Sequence, residues 1–171
     1  MWDITIIIMM NGESDMQLFL MRHGEASYLA HSDRERTLTE TGRYHTSEMS
    51  HWLVKSVMTF DLVLISPYLR AQQSWQEVSK HFPEPRKWLV LDELTPSGDP
   101  RTATDLTIAY AEQYKADKVL VIAHMPLLGY MVSELVSGIE PPLFATSGVY
   151  LIDKHGEQSS VVWQHSPHSI N

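Results

Sequence analysis

The sequence predicts an α/β fold: three layers, α/β/α, around a mostly parallel central sheet. Two observations carry this. The apolar runs Leu18-Phe19-Leu20-Met21, Leu62-Val63-Leu64-Ile65 and Val119-Leu120-Val121-Ile122-Ala123 read as buried strands. Between them lie segments with apolar residues at helical spacing, and strands alternating with helices imply βαβ units and a parallel sheet.

The elements follow in order. Leu18 to Met21 is the first strand, and Gly24 turns the chain after it. Thr39-Glu40-Thr41-Gly42 opens a helix toward Lys55, with Met49, Trp52 and Leu53 on its apolar side. Asp61 to Ile65 is the second strand. Ser66-Pro67 reads as an N-cap followed by proline at the first helical position, and the helix runs through Leu69, Trp75 and Val78 toward Phe82, where Pro83 and Pro85 stop it. Trp88 to Leu91 is a third strand, and Thr95 to Pro100 a loop. A helix from Thr102 to Tyr114 carries Leu106, Ala109 and Tyr110 on one face. Lys118 to Ala123 is the strongest strand of all. His124 ends it, and Met125-Pro126 begins a helix toward Ser137. Ala145–Ile152 and Ser160–Trp163 form a hairpin through Lys154-His155-Gly156, which adds an antiparallel edge.

A length of 171 residues fits one domain, and a hydrophobic share of 43% is enough for a real core, which argues against disorder. The formal charge of −8 argues against a nucleic-acid binder. With no cysteine, disulfides and thiol chemistry are excluded, in keeping with a cytoplasmic enzyme. Residues 1–15 read as an N-terminal extension to a single domain spanning 16–171, with Met16 an alternative start. Its apolar stretch Ile4 to Met10 is far shorter than the roughly 18 residues of a spanning helix, and no Lys or Arg precedes it as in a signal peptide. The competing reading is an extra edge strand.

The strand ends carry the chemistry. Arg22-His23-Gly24 follows the first strand, Ser66-Pro67-Tyr68-Leu69-Arg70-Ala71 the second, and His124 the strongest. A parallel sheet places all three on one rim, where ligands of open α/β sheets bind. A net-acidic chain that concentrates two arginines and two histidines at one point is expected to bind an anion there, and helix N-termini at Ser66 and Pro126 would add oriented amides. Arginine is the preferred fork for phosphate oxygens, and imidazole can act as a covalent nucleophile. The constellation suits phosphoryl transfer, in which catalysis is mainly positioning and charge stabilisation. His23 would attack phosphorus in line. Arg22, Arg70 and, if protonated, His124 would hold the oxygens, and water would release the phosphoryl group. The scheme needs no metal and no cofactor. His31, His45, His51, His81, His155, His165 and His168 read as surface residues, and the pair His165/His168 lacks the further ligands of a zinc site.

Met21-Arg22-His23-Gly24-Glu25 resembles the signature of the histidine phosphatase superfamily, the phosphoglycerate-mutase-like fold. The resemblance implies that His23 is the phosphoryl-accepting nucleophile, that Arg22 and Arg70 bind phosphate, and that His124 is the second histidine. Leu38-Thr39-Glu40-Thr41-Gly42, the Ser66–Ala71 run, Glu93-Leu94-Thr95-Pro96-Ser97-Gly98-Asp99 and His124-Met125-Pro126-Leu127-Leu128-Gly129-Tyr130 narrow it to the bacterial SixA-type phosphohistidine phosphatases. The resemblance runs from about Met16 to Ser166-Pro167.

Members of the wider superfamily that act on sugar phosphates carry an acid after the third strand, which protonates the leaving oxygen. Thr95-Pro96 stands in that place here, with Glu93 nearby. A general acid typically contributes 10²–10⁴-fold for an alkoxide leaving group, whereas an imidazole whose distal nitrogen is already protonated departs without one. A missing acid therefore favours phosphohistidine. The implied substrate is a phosphorylated phosphotransfer protein, a histidine-containing phosphotransfer domain or similar, with no nucleic-acid or membrane partner. Two other readings stand beside this one: a small-molecule phosphomonoesterase of the same superfamily, with Glu93 as acid, and a non-catalytic phosphate-binding module.

Overall fold

The computed structural model describes residues 15–170. Residues 1–14, on which most of the expected extension falls, lie outside the described residues, and Asp15 is the first residue of a strand. The strands are β1 (Asp15–Arg22), β2 (Leu62–Ile65), β3 (Lys87–Val90), β4 (Lys118–Ala123), β5 (Val149–His155) and β6 (Gln158–His165). The helices are α1 (Glu40–Leu53), α2 (Leu69–Ser79), α3 (Pro100–Gln113) and α4 (Leu127–Leu135), with short 3₁₀ turns at Asp33–Glu35 and Asp92–Leu94. The sheet runs β3-β2-β4-β1-β5-β6. The first four of these strands are parallel, and β5 and β6 pair antiparallel beside them.

Side chains alternate across a strand, so each central strand feeds two cores. Leu18 and Leu20 of β1 join Val119 and Val121 of β4 under Ala103 and Ala111 of α3 and Leu128, Met131 and Val132 of α4. Phe19 and Met21 join Leu120, Ile122, Val63 and Ile65 under Met49 and Leu53 of α1 and Ala71 and Val78 of α2. Because helices cover both faces, the central strands are apolar throughout rather than alternating, which is why they read as continuous runs. No helix among the described residues is long and apolar enough to cross a membrane.

The boundaries differ from expectation where side-chain chemistry decides them. Asp99 and Pro100, expected in a loop, are the N-cap and first residue of α3: the Asp99 carboxylate accepts from Thr102 N at 2.8 Å. Ser66 and Pro67, expected as N-cap and first residue, stand before α2, whose N-cap is Tyr68. The Ser66 hydroxyl is engaged with His124 and accepts from Tyr68 N. Thr39 caps α1 as expected, accepting from Gly42 N at 2.9 Å. Ala145–Gly148 is a turn rather than the start of a strand, with Ser147 at φ +59.

Candidate active site

The parallel register sets the site. Arg22 pairs with Ala123 and Ile65 with Ile122, so His23, Ser66 and His124 each stand one residue beyond a strand end on the same rim. Backbone bonds hold these next residues in line: His23 N donates to Ala123 O at 3.1 Å, and Ser66 N donates to Ile122 O at 3.0 Å. His23 and His124 are buried, with ring centroids 5.0 Å apart.

The Gly24 turn and the Thr39–Gly42 motif form one joint. A Cβ on Gly24 would stand 2.7 Å from Gly42 O, and a Cβ on Gly42 would stand 2.1 Å from Glu25 O. Neither position tolerates a side chain without backbone movement. Glu25 pins the same joint: its carbonyl accepts from Thr39 N at 3.0 Å and its carboxylate from the Thr39 hydroxyl at 2.7 Å. Gly24 N donates to Ser74 Oγ, which in turn donates to Arg70 O, tying the turn to the first residues of α2.

That frame fixes the tautomer of His23. Its Nδ1 lies 2.6 Å from Gly24 O, and a carbonyl can only accept, so Nδ1 carries the proton. Nε2 is then the lone-pair nitrogen, and it accepts from Arg70 Nε at 3.2 Å. Burial first, and then the charges of Arg70, Arg22 and Arg36, push the His23 pKa down to about 3 despite the favourable bond to Gly24 O. The ring is therefore neutral at neutral pH, with its lone pair available.

His124 is driven the same way, by burial and then by His23, Arg70 and Arg22. The sequence reading makes His124 a donor only if protonated, and these causes lower its pKa. Two like-charged neighbours and low solvation favour the neutral ring, until an anion arrives to reverse the balance. Its Nε2 lies 2.6 Å from Ser66 Oγ, and its Nδ1 is buried with no partner among the described residues. Arg22 donates from Nη1 to Phe144 O at 2.8 Å, and its buried Nε likewise has no partner among the described residues. Buried polar groups normally find partners, and these two unmet ones belong to residues expected to hold phosphate.

Arg70 sits in the first turn of α2, where the helix dipole disfavours a cation, and its side chain is only 4% exposed. The site thus collects buried positive charge in a chain of net charge −8. Glu93 lies in the second 3₁₀ turn and is partly buried. Gly98 approaches its carbonyl so closely that a Cβ there would stand 2.1 Å from it.

The family model of the histidine phosphatase superfamily (branch 1) matches residues 18–95. The chain is 41% identical to phosphohistidine phosphatase SixA of Escherichia coli K12 over 157 residues, covering 89% of this chain and 94% of that one. The chain belongs to the histidine phosphatase superfamily. A SixA homolog of Haemophilus influenzae is 32% identical over 155 residues, covering 86% and 93%. The solved structure of the protein histidine phosphatase SixA complexed with tungstate superposes with a TM-score of 0.86 at 38% identity, covering 91% of this chain and 100% of that one. Tungstate is a tetrahedral oxyanion, of the same shape and charge class as phosphate.

For a histidine phosphatase, the residues gathered here have a clear chemical capacity: a neutral imidazole whose lone pair faces the Arg70 guanidinium. Among the residues singled out from sequence, the structure brings His23, Arg70 and His124 into direct proximity, and places Arg22 at the end of β1 next to them. Sequence reading missed Asp33, Ser74 and Ser147. Ser147 N donates to His23 O at 3.1 Å and its hydroxyl bonds Thr46 Oγ1 at 2.9 Å. Asp33 bonds Arg70. No periodic pattern marks these residues, since each acts through a loop or from the polar side of a helix.

Proposed function

We propose that this histidine phosphatase hydrolyses phosphohistidine on proteins, through a covalent phosphoryl group on His23. The likeness to SixA over nearly its whole length supports the substrate class. The observation that carries the mechanism is the hydrogen-bonded tautomer of His23: Nδ1–H is committed to Gly24 O, and Nε2 presents its lone pair beside Arg70.

In the first step Nε2 attacks phosphorus in line, and the bond from phosphorus to the substrate's imidazole nitrogen breaks. The departing ring keeps the proton on its other nitrogen and leaves as neutral imidazole, so no acid is required. In the second step water attacks phosphorus, the P–Nε2 bond breaks, and His23 returns to its starting tautomer as phosphate leaves. Arg70 and Arg22 take the charge on the equatorial oxygens. The phosphoryl dianion raises the His124 pKa, and the ring becomes a further donor once the site is filled. A phosphotransfer domain of a cytoplasmic signalling relay is the expected substrate protein.

The test mixes the protein, with EDTA present, with a phosphohistidine-bearing phosphotransfer domain and in parallel with a panel of phosphomonoesters. Fast phosphate release from phosphohistidine, a trapped phosphoenzyme, and loss of both in His23→Ala are the expected results. Turnover mainly of phosphomonoesters would assign a small-molecule phosphatase instead, and normal turnover by His23→Ala would remove His23 as nucleophile.

A further inference from the structure

Arg70 reaches outward, as well as inward to His23. Its Nη1 donates to the Asp33 carbonyl at 2.6 Å and its Nη2 to the Asp33 carboxylate at 3.1 Å. The other carboxylate oxygen of Asp33 accepts from Arg36 Nη1 at 3.0 Å. Arg36 is itself immobilised: Nε donates to Ser27 O at 2.8 Å, Nη2 to Ala26 O at 3.2 Å, and the Tyr28 ring covers its guanidinium at 4.2 Å. One carboxylate therefore bridges two guanidiniums, the first anchored to backbone and the second in the site. Asp33 is 55% exposed at its side chain, against 4% for Arg70. A surface carboxylate is holding a buried cation.

We propose that Asp33 is a positioning residue that orients Arg70 toward the reacting phosphoryl group; this rests on the phosphatase reading of the site. A guanidinium is a rigid planar fork with five N–H donors, and the value of such a fork lies in its orientation. Asp33 occupies the outer edge, made by Nη1 and Nη2. The inner edge, made by Nε and the remaining N–H of Nη2, is then turned toward His23 Nε2, where the phosphorus must arrive. Phosphate and Asp33 thus use different edges of one arginine and do not compete. Arg36 supplies the fixed point: it holds the carboxylate, and the carboxylate holds the fork. Burial alone would raise the Asp33 carboxyl, but the hydrogen bonds from Arg36 and Arg70 outweigh it and keep the group below the usual range, so the bridge is anionic at neutral pH.

The experiment compares phosphohistidine hydrolysis by wild type, Asp33→Ala, Asp33→Asn, Arg70→Ala, the Asp33→Ala/Arg70→Ala double variant and His23→Ala, with folding checked by circular dichroism. Misplacing a catalytic group by an ångström costs up to about 100-fold, so kcat of Asp33→Ala is expected to fall by about 10- to 100-fold. Asp33→Asn, which keeps one oxygen for Nη2 but sets its NH2 against the Arg36 donor, recovers only part of that loss. In the Arg70→Ala background the Asp33→Ala change adds nothing, because the group it positions is gone. An equal loss in both backgrounds would overturn the proposal, since a general structural role costs the same with or without Arg70. Wild-type kcat in Asp33→Ala would overturn it too, as would a faster Asp33→Ala enzyme inhibited by lower inorganic phosphate, which would make Asp33 a competitor. Wild-type rates in both Arg70→Ala and His23→Ala would instead defeat the phosphatase reading of the site, and the proposal with it.

Discussion

Two buried neutral histidines make stability depend on acid in a calculable way. His23 has a folded pKa of about 3 against 6.5 for the free side chain. The unfolded chain therefore binds a proton that the folded chain refuses over that interval, and unfolding becomes easier as pH falls through it. The sign is fixed: the contribution is fully present above about pH 6.5 and is lost progressively toward about pH 3. Between about pH 7 and pH 5, linkage gives a loss of about 2 kcal/mol for one such ring. His124, whose pKa is also lowered chiefly by burial, adds a similar loss. The assay is urea denaturation at both pH values, in buffers free of phosphate, for wild type and His23→Gln. Apart from His124, which feels His23 directly, other groups titrate alike in the two proteins, so the variant should lose less than wild type on acidification, by about 2 kcal/mol. An identical loss in both would refute the claim that the fold holds His23 neutral.

Further outcomes follow from the packing around the rim. Gly42→Ala forces a methyl to 2.1 Å from Glu25 O and should destabilise the fold by about 1–3 kcal/mol in urea titration, with activity reduced as the Gly24 turn shifts. Ser66→Ala removes the hydroxyl 2.6 Å from His124 Nε2 and should cost about 1 kcal/mol of stability. It should also lower kcat more than it changes KM, and Ser66→Thr, which keeps a hydroxyl, should restore part of the rate.

Much of this was readable in the residues, and for identifiable reasons. The central strands are buried on both faces, so β1, β2 and β4 stand out as apolar runs, and β4 falls on the expected residues 118–123. Given those strands and their parallel pairing, His23 and His124 had to share one rim, because each stands one residue beyond a strand end in the same register, while Arg70 reaches them from the first turn of α2. Ends set by side-chain competition were harder to place. Ser66 has the composition of an N-cap, yet its hydroxyl turns to His124, a residue far away in sequence. Asp33 lies in the polar run His31-Ser32-Asp33-Arg34-Glu35-Arg36, which looks like ordinary solvated loop. Only the folded chain shows that one of those charges reaches a buried arginine. Whether His124 is protonated could not be read from residue type, which says nothing of burial or of a second histidine 5.0 Å away.

The strand order has a consequence for the chain as it is made. His23 directly follows β1, and both neighbours of β1 in the sheet, β4 and β5, come from the later part of the sequence. β4 also bridges β1 to the β2–β3 pair, and it delivers His124. A nascent chain that has not yet released β4 holds His23 on an unpaired strand and lacks the other half of the site. Parallel pairings of this kind must close long loops before they are rewarded, and they form late. The rim that sets His23 beside His124 therefore exists only once β4 has joined β1, however well the first half of the chain collapses.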